Sequence, residues 1–334
     1  MAAAKVSRSQ GTMKAIVQEG SGSADVLHVR TVERPVVTDD RVLVRVHAAS
    51  VNAADWHMVH GGPVVRAVAW AMRTPVLPIR GIDVAGVVET VGRDVTRFQP
   101  GDEVFGAGSG TFAEYTLARE DGLALKPPTL SFEAAAALPV AGVTALQGLR
   151  DTGHVQPGQR VVIYGAGGGV GTFAVQIATA LGAQVTAVTS TRNLEVVRAL
   201  GAGEVIDYTQ VDVTQRSERY HVVFDVAANR SLADMMRILA PGGTLVLAGA
   251  AKGGALAIGG KLLGAQIRSR LLGQRVASFL ARVTSGDLLT LGELVEAGKL
   301  RPAIDVRYRL ERAADAVGYV GSGEARAKVV ISVE

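Results

Sequence analysis

Residues Val161–Ala183, VVIYGAGGGVGTFAVQIATALGA, place five glycines within seven positions and carry no charge from end to end. Few folds accommodate such a stretch. A membrane span of this length is almost continuously apolar, and a glycine cluster near its start weakens it as a helix. A flexible linker is not flanked by a β-branched run on one side and helical periodicity on the other. The third reading is strand, loop and helix: RVVIYG ends a strand and VGTFAVQIATAL opens a helix, so the glycines join the first β to the first α of a βαβ unit. There, backbone N–H groups and a helix N-terminus hold a pyrophosphate, and glycine lets the backbone approach it. The strict G-x-G-x-x-G spacing fails at Val170, whereas G-x-x-G-x-x-G fits at Gly165, Gly168 and Gly171. A purely structural βα turn seldom needs five glycines. We assign the loop to a dinucleotide.

The chain around this loop changes character twice. Its first third, with KAIVQEG, RVLVRVHAASV, DVAGVVETVG, GDEVFGAG and GTFAEYTLA, is a series of short β-branched runs separated by Gly, Pro and Asp, which predicts an antiparallel, barrel-like domain. Near Ser131 the sequence turns Ala-rich and helical. From Arg160 strands and helices alternate, the pattern of a parallel sheet. The expected organisation is a β-rich domain over 1–130 (with 1–12 a loose tail), a dinucleotide domain over 131–273, and a return segment over 274–334 that completes the first domain.

Composition removes several chemistries. With no cysteine among 334 residues, disulfides, thiolate nucleophiles and thiolate metal ligands are excluded. A net charge of +4 is slight for this length, so no nucleic-acid partner is expected. Lys252–Arg282 holds six basic residues and no acid; a membrane-surface or RNA-binding helix is the alternative to a solvated face, but glycines interrupt any long amphipathic helix. No run reads as a membrane span.

The choice of dinucleotide turns on the second strand. NAD sites usually end that strand with Asp or Glu, which bonds the ribose hydroxyls. Here it ends VTSTRN, with Ser190 and Arg192 in the acid's place. An arginine beside a hydroxyl suits a 2′-phosphate, so NADPH is expected; the plain alternative is that Arg192 is a solvated residue at a helix start.

The segments SVNAADWHMVHGG (Ser50–Gly62), GIDVAGVVETVG (Gly81–Gly92), FQPGDEVFG (Phe98–Gly106), GTFAEY (Gly110–Tyr115), LPVAGVTALQGL (Leu138–Leu149), GAGGGVG and AKVVISV (Ala327–Val333) follow one another along the chain. In that order, and over nearly its whole length, the chain resembles the zinc-independent medium-chain dehydrogenase/reductases of the quinone oxidoreductase, zeta-crystallin-like branch. The resemblance implies an α/β fold: a doubly wound Rossmann domain with a GroES-like catalytic domain split around it, and NADPH in the cleft between them. A homodimer acting on a small electrophilic substrate is expected, and a cytoplasmic home is the default. Zinc-dependent relatives use a Gly-His-Glu motif at the place where this chain has Gly81, Ile82 and Asp83, so no metal is expected.

Carried over residue by residue, the resemblance places Asn52 near nicotinamide and substrate. His57 stands where an aromatic hydroxyl often follows. It is a candidate proton donor to an enolate, with solvent water as the alternative. Asp55 reads as a structural hydrogen-bonding residue, and Trp56 as either pocket lining or core. Thr144 is implied near the nicotinamide, Gly168, Gly169, Val170 and Gly171 along the pyrophosphate, and Ser190, Arg192 and Tyr208 around the 2′-phosphate and adenosine. Thr144 and Tyr208 read equally as ordinary helix and strand-end residues. Without a Lewis acid, simple alcohol oxidation is difficult, whereas a quinone or an α,β-unsaturated carbonyl supplies its own electron sink. The leading expectation is therefore an NADPH-dependent quinone or enone reductase. A zinc-free alcohol or aldehyde dehydrogenase and a non-catalytic NADPH-binding protein are the alternatives. The substrate would be set by the variable segments Met58–Pro78 and Gly253–Arg282.

Overall fold

The computed structural model describes residues 11–61, 78–248 and 273–333. Most of the tail, most of Met58–Pro78 and most of the basic run Lys252–Arg282 lie outside the described residues. The chain forms two units: one holds residues up to Val140, Val283–Gly292 and the chain from Ile304 onward, and the other holds Ala141–Arg282 and Glu293–Ala303.

The first unit opens with a hairpin of β1 (Thr12–Gln18) and β2 (Leu27–Glu33). Then come β3 (Arg41–Val51), β4 (Asp83–Val91), β5 (Glu103–Ser109) and β6 (Tyr115–Leu125). One edge of β3 pairs with β4, and its first half also pairs with β6, so the four antiparallel strands close on themselves. Alternation along β3 explains the closure. Val42, Val44 and Val46 point to one face, where they pack with Val84, Val88, Val104 and Leu123. Leu43 points to the other, against Met13, Ala15 and Tyr115. Each fully buried Val or Leu contributes about 1.5–3 kcal/mol. The Ala-rich stretch from Ser131 to Val140 belongs to this unit. Ser131 caps the helix Phe132–Ala136 by accepting from Ala134 N at 3.2 Å; the helix packs on β3 and β4, with Ala135 and Ala136 buried.

The second unit contains β7 (Arg160–Tyr164), β8 (Gln184–Thr189), β9 (Glu204–Asp207), β10 (Tyr220–Asp225), β11 (Leu239–Leu247) and β12 (Arg275–Ser278). They form one parallel sheet in the order β12-β11-β10-β7-β8-β9. This is the doubly wound arrangement, whose strand order reverses between β7 and β10; ligands bind outside the carboxyl ends of the strands at that point. The uncharged run Val161–Ala183 holds most of β7 and the helix Gly169–Ala180, whose residues Gly171–Ala178 are all buried. Burial in a protein core accounts for its missing charges. Among the described residues no helix is long and apolar enough to cross a membrane.

The chain returns to the first unit as β13 (Ile304–Arg309) and β14 (Lys328–Ser332), which are parallel to each other and joined by the helix Ala313–Ser322. Strand β14 then pairs antiparallel with the second half of β3, Val329 facing Val51. Trp56 seats its indole against Gly321 of that helix, where a Cβ would run into the ring, and it packs with the surrounding apolar cluster. Of the two readings of Trp56, core packing is what the structure shows.

Candidate active site and cofactor loop

The cofactor loop follows β7. Gly165 has φ +90°, a conformation costly for any residue with a Cβ, and its added Cβ would also stand 3.1 Å from Ala227 N. At Gly171 a Cβ would strike the Gly165 carbonyl oxygen. These two glycines are required by the protein itself. Gly168 is different: its φ is −89°, and an added Cβ would meet only the Gly165 carbonyl at 3.5 Å, an ordinary contact. The space beside Gly168 is thus open in the protein alone, as a cradle for a phosphate requires. The helix begins at Gly169, so the N–H groups of Gly169, Val170 and Gly171 have no intrahelical acceptor. Gly168, Gly169 and Val170 are half-buried, with Gly171 beneath them. The loop fits a dinucleotide pyrophosphate.

The ends of β8 and β9 bring the other predicted cofactor residues together. Tyr208 N donates to Thr189 O at 3.0 Å, which ties the backbone of exposed Tyr208 to the residue just before the turn Ser190–Asn193 that carries Arg192. Two residues not singled out in the sequence organise this turn. Buried Asn193 places its carboxamide nitrogen 3.5 Å from Ser190 Oγ, and a Cβ on Gly167 would collide with that carboxamide. Asn193 thereby braces the turn against the glycine loop. Asp207 ends β9. Its carboxylate accepts from the hydroxyls of Thr191 and Thr209 and from Thr209 N, and the Thr191 hydrogen bond chiefly holds its pKa below the usual value. An acid does stand near this turn, but it comes from the third strand and its oxygens accept from Thr191 and Thr209. Thr144 lies half-buried on the helix Pro139–Leu146.

After β10 the chain closes over Gly165. Asp225 is buried and accepts from Ala228 N at 2.9 Å, holding Ala228 at φ +50°.

In the first unit, strand register brings the start of β14, the end of β3 and the start of β4 side by side: Ser50 faces Asp83 and Val51 faces Val329. A polar cluster results inside a valine-rich sheet. Asp83, 0% exposed, accepts on Oδ2 from Ser50 Oγ at 2.6 Å, Asn52 Nδ2 at 2.9 Å and Lys328 Nζ at 3.3 Å. Its Oδ1 accepts from Val140 N at 2.9 Å. Lys328, 2% exposed, also donates to Asn52 Oδ1 at 2.7 Å and to Val51 O at 3.3 Å. Asn52 is the residue before the helix Ala53–His60; its backbone N donates to Asp55 Oδ2 at 2.8 Å. Sequence reading marked Asn52 and Asp83 but missed Lys328, which appeared only as a letter of AKVVISV.

Asp55 is buried, and its Oδ1 has no hydrogen-bond partner among the described residues. Burial pushes its carboxyl up to about 7, against the lowering effect of the Asn52 N–H; the Asp83 charge adds to the rise, and Lys328 and Arg80 oppose it. Its role is to receive the helix start. His57 packs edge-on to Trp56, with ring centroids 4.9 Å apart. Desolvation, then the neighbouring His60, lowers its pKa. Both effects favour the neutral imidazole over the imidazolium.

A family model described as an alcohol dehydrogenase GroES-like domain matches residues 38–128, and one described as a zinc-binding dehydrogenase matches residues 200–331. A quinone oxidoreductase of Pongo abelii is 31% identical over 92% of this chain and 93% of its own. The chain belongs to the medium-chain dehydrogenase/reductases, in the quinone oxidoreductase branch. Another member, an NADPH-dependent alkenal/one oxidoreductase, chloroplastic, of Arabidopsis thaliana, is 34% identical over 96% of this chain and 79% of its own. Among solved structures, the quinone oxidoreductase from Coxiella burnetii superposes with a TM-score of 0.86 at 31% identity, covering 97% of this chain and all of that one. Zinc, which one family description mentions, does not fit here. The described residues hold no group of three or more His, Cys, Asp or Glu able to bind a metal. Both oxygens of Asp83 are already occupied by protein donors.

Proposed function

We propose that this medium-chain reductase uses NADPH to reduce quinones and the double bond of α,β-unsaturated carbonyls, and that it does so without zinc. The observation that carries the reading is Asp83. The carboxylate at the metal-motif position is spent on Ser50, Asn52, Val140 and Lys328, so the substrate has to bring its own electron sink. Relatives named as quinone oxidoreductase and as NADPH-dependent alkenal/one oxidoreductase support the same substrate class. NADPH, when bound, supplies the hydride. In this proposal the Gly165–Gly171 backbone holds the pyrophosphate, Thr144 lies on the nicotinamide side, and Ser190, Arg192 and Tyr208 take the 2′-phosphate end. Asn52 offers an N–H to the substrate oxygen that gains charge, and His57 enters as a neutral donor. A cytoplasmic homodimer without a nucleic-acid partner completes the reading; light scattering on purified protein tests the dimer.

The direct test measures NADPH oxidation with a simple quinone, a simple enone and a saturated aldehyde, alongside elemental analysis. Turnover with the first two, none with the third, and far less than one zinc per chain are expected. One zinc per chain with activity lost on chelation would contradict the proposal, as would turnover confined to the aldehyde.

A further inference from the structure

We infer that Lys328 is a positioning residue: its ammonium, with the Asp83 carboxylate, fixes and polarises the Asn52 carboxamide, so that a buried cation acts on the substrate oxygen through an amide. The inference rests on the reading above that Asn52 meets that oxygen.

The geometry fixes one orientation of the amide. Lysine only donates and an ionised carboxylate only accepts. Lys328 Nζ lies 2.7 Å from Asn52 Oδ1, and Asp83 Oδ2 lies 2.9 Å from Asn52 Nδ2. Exchanging the amide's oxygen and nitrogen would set N–H against ammonium and C=O against carboxylate. One Nδ2 hydrogen is therefore committed to Asp83, and the second has no acceptor among the described residues. Asn52 retains 8% exposure, so the one donor left to it is held in a fixed direction at a residue solvent can still reach. An ammonium pulling on the carbonyl oxygen of an amide strengthens its N–H groups as donors.

Stability alone explains the arrangement poorly. Burying a Lys–Asp pair among valines is often no better than packing apolar residues of the same volume, because both charges lose their hydration. The cluster also spans residues 245 apart in sequence, and both charged members, Asp83 and Lys328, bond the Asn52 carboxamide as well as each other.

A double-mutant cycle on the full-length protein separates positioning from packing, with kcat measured for NADPH-dependent enone reduction. Lys328→Met is expected to lower kcat on the order of 10²-fold, the cost of losing one well-aimed donor at an oxyanion, with little change in the KM for NADPH. Asn52→Ala should lower it similarly. The double variant should be little worse than either single one, because Lys328 acts only through Asn52. A bound dimethylaminocinnamaldehyde, whose absorption shifts red when its carbonyl is polarised, should lose that shift in Lys328→Met. If Lys328→Met fails to fold, the combined variant Lys328→Met/Asp83→Asn, which leaves neither charge of the pair stranded, takes its place in the cycle against the wild type. Losses that multiply in the double variant, or an unchanged kcat and red shift in Lys328→Met, overturn the inference. Wild-type protein that binds NADPH but reduces neither enone nor quinone overturns the functional reading itself, and the inference falls with it.

Discussion

The polar cluster of the first unit and the glycine loop of the second are built on opposite principles. The cluster takes side chains from three distant segments, Ser50–Asp55, Asp83 and Lys328, and fixes them by mutual hydrogen bonds in a site buried except at Asn52. The loop takes seven consecutive residues and works through their backbone, with side chains removed. The contrast teaches where each site is vulnerable. Removing either Asp83 or Lys328 strands the charge of the other. In the loop, adding a single carbon either breaks the packing, as at Gly171, or leaves it intact, as at Gly168.

The contrast breaks most sharply at Asp83. Asp83→Ala leaves the Lys328 ammonium buried without its partner and should cost about 3–5 kcal/mol of stability, read as a lower denaturant midpoint; a loss under 1 kcal/mol would mean that the pair is solvated. Asp55 makes a comparable claim through pH. Its folded pKa of about 7 lies above the ordinary value of 3.8, so the native state binds the proton more tightly than the unfolded chain. The stability this contributes is fully present below about pH 4 and is lost as pH rises through 7. The three-unit rise corresponds to on the order of 4 kcal/mol. Urea titrations across pH 4–8 should show this slope in the wild type and a flatter one in Asp55→Asn; parallel curves would remove Asp55 from the account.

On the cofactor side the expected effects are smaller. Arg192→Ala should weaken NADPH more than NADH by about 1–3 kcal/mol, the worth of a charge-assisted hydrogen bond, in paired fluorescence titrations. Equal affinity of the wild type for both cofactors would contradict the assignment. Smallest is Ala228, held at φ +50°, where a Cβ is unfavourable by about 1 kcal/mol. Ala228→Gly should therefore raise the melting temperature by about 1–2 °C, while an unchanged or lower value would show that the loop tolerates the strain.

The same contrast governs what could be read from sequence. The loop was legible because its signal is contiguous: a β-branched strand, five glycines and an uncharged helix in one window. The β-rich unit was legible from period-two alternation, as in Val42, Val44 and Val46. The cluster was legible only in part. Asn52 and Asp83 stood inside motifs, but no periodicity joins either to Lys328, which only the pairing of β14 with β3 brings to them. Asp207 escaped because the acid was sought at the end of the second strand, while sheet order brings the end of the third strand to the same place. Ser131 marked a change of composition, yet the helix after it packs on β3 and β4 because its small alanines suit that close approach.

The central claim is that the glycine loop holds the cofactor while its packing needs only some of its glycines, and the melting temperature of Gly168→Val with and without NADPH tests it most directly. A Cβ at Gly168 meets only an ordinary contact at 3.5 Å, so the variant should fold with a melting temperature near that of the wild type. NADPH should raise the wild-type value by mass action and leave the variant unmoved, because the added side chain occupies the space beside the helix N-terminus. A folded Gly168→Val protein that shows the full NADPH-induced rise would contradict the account.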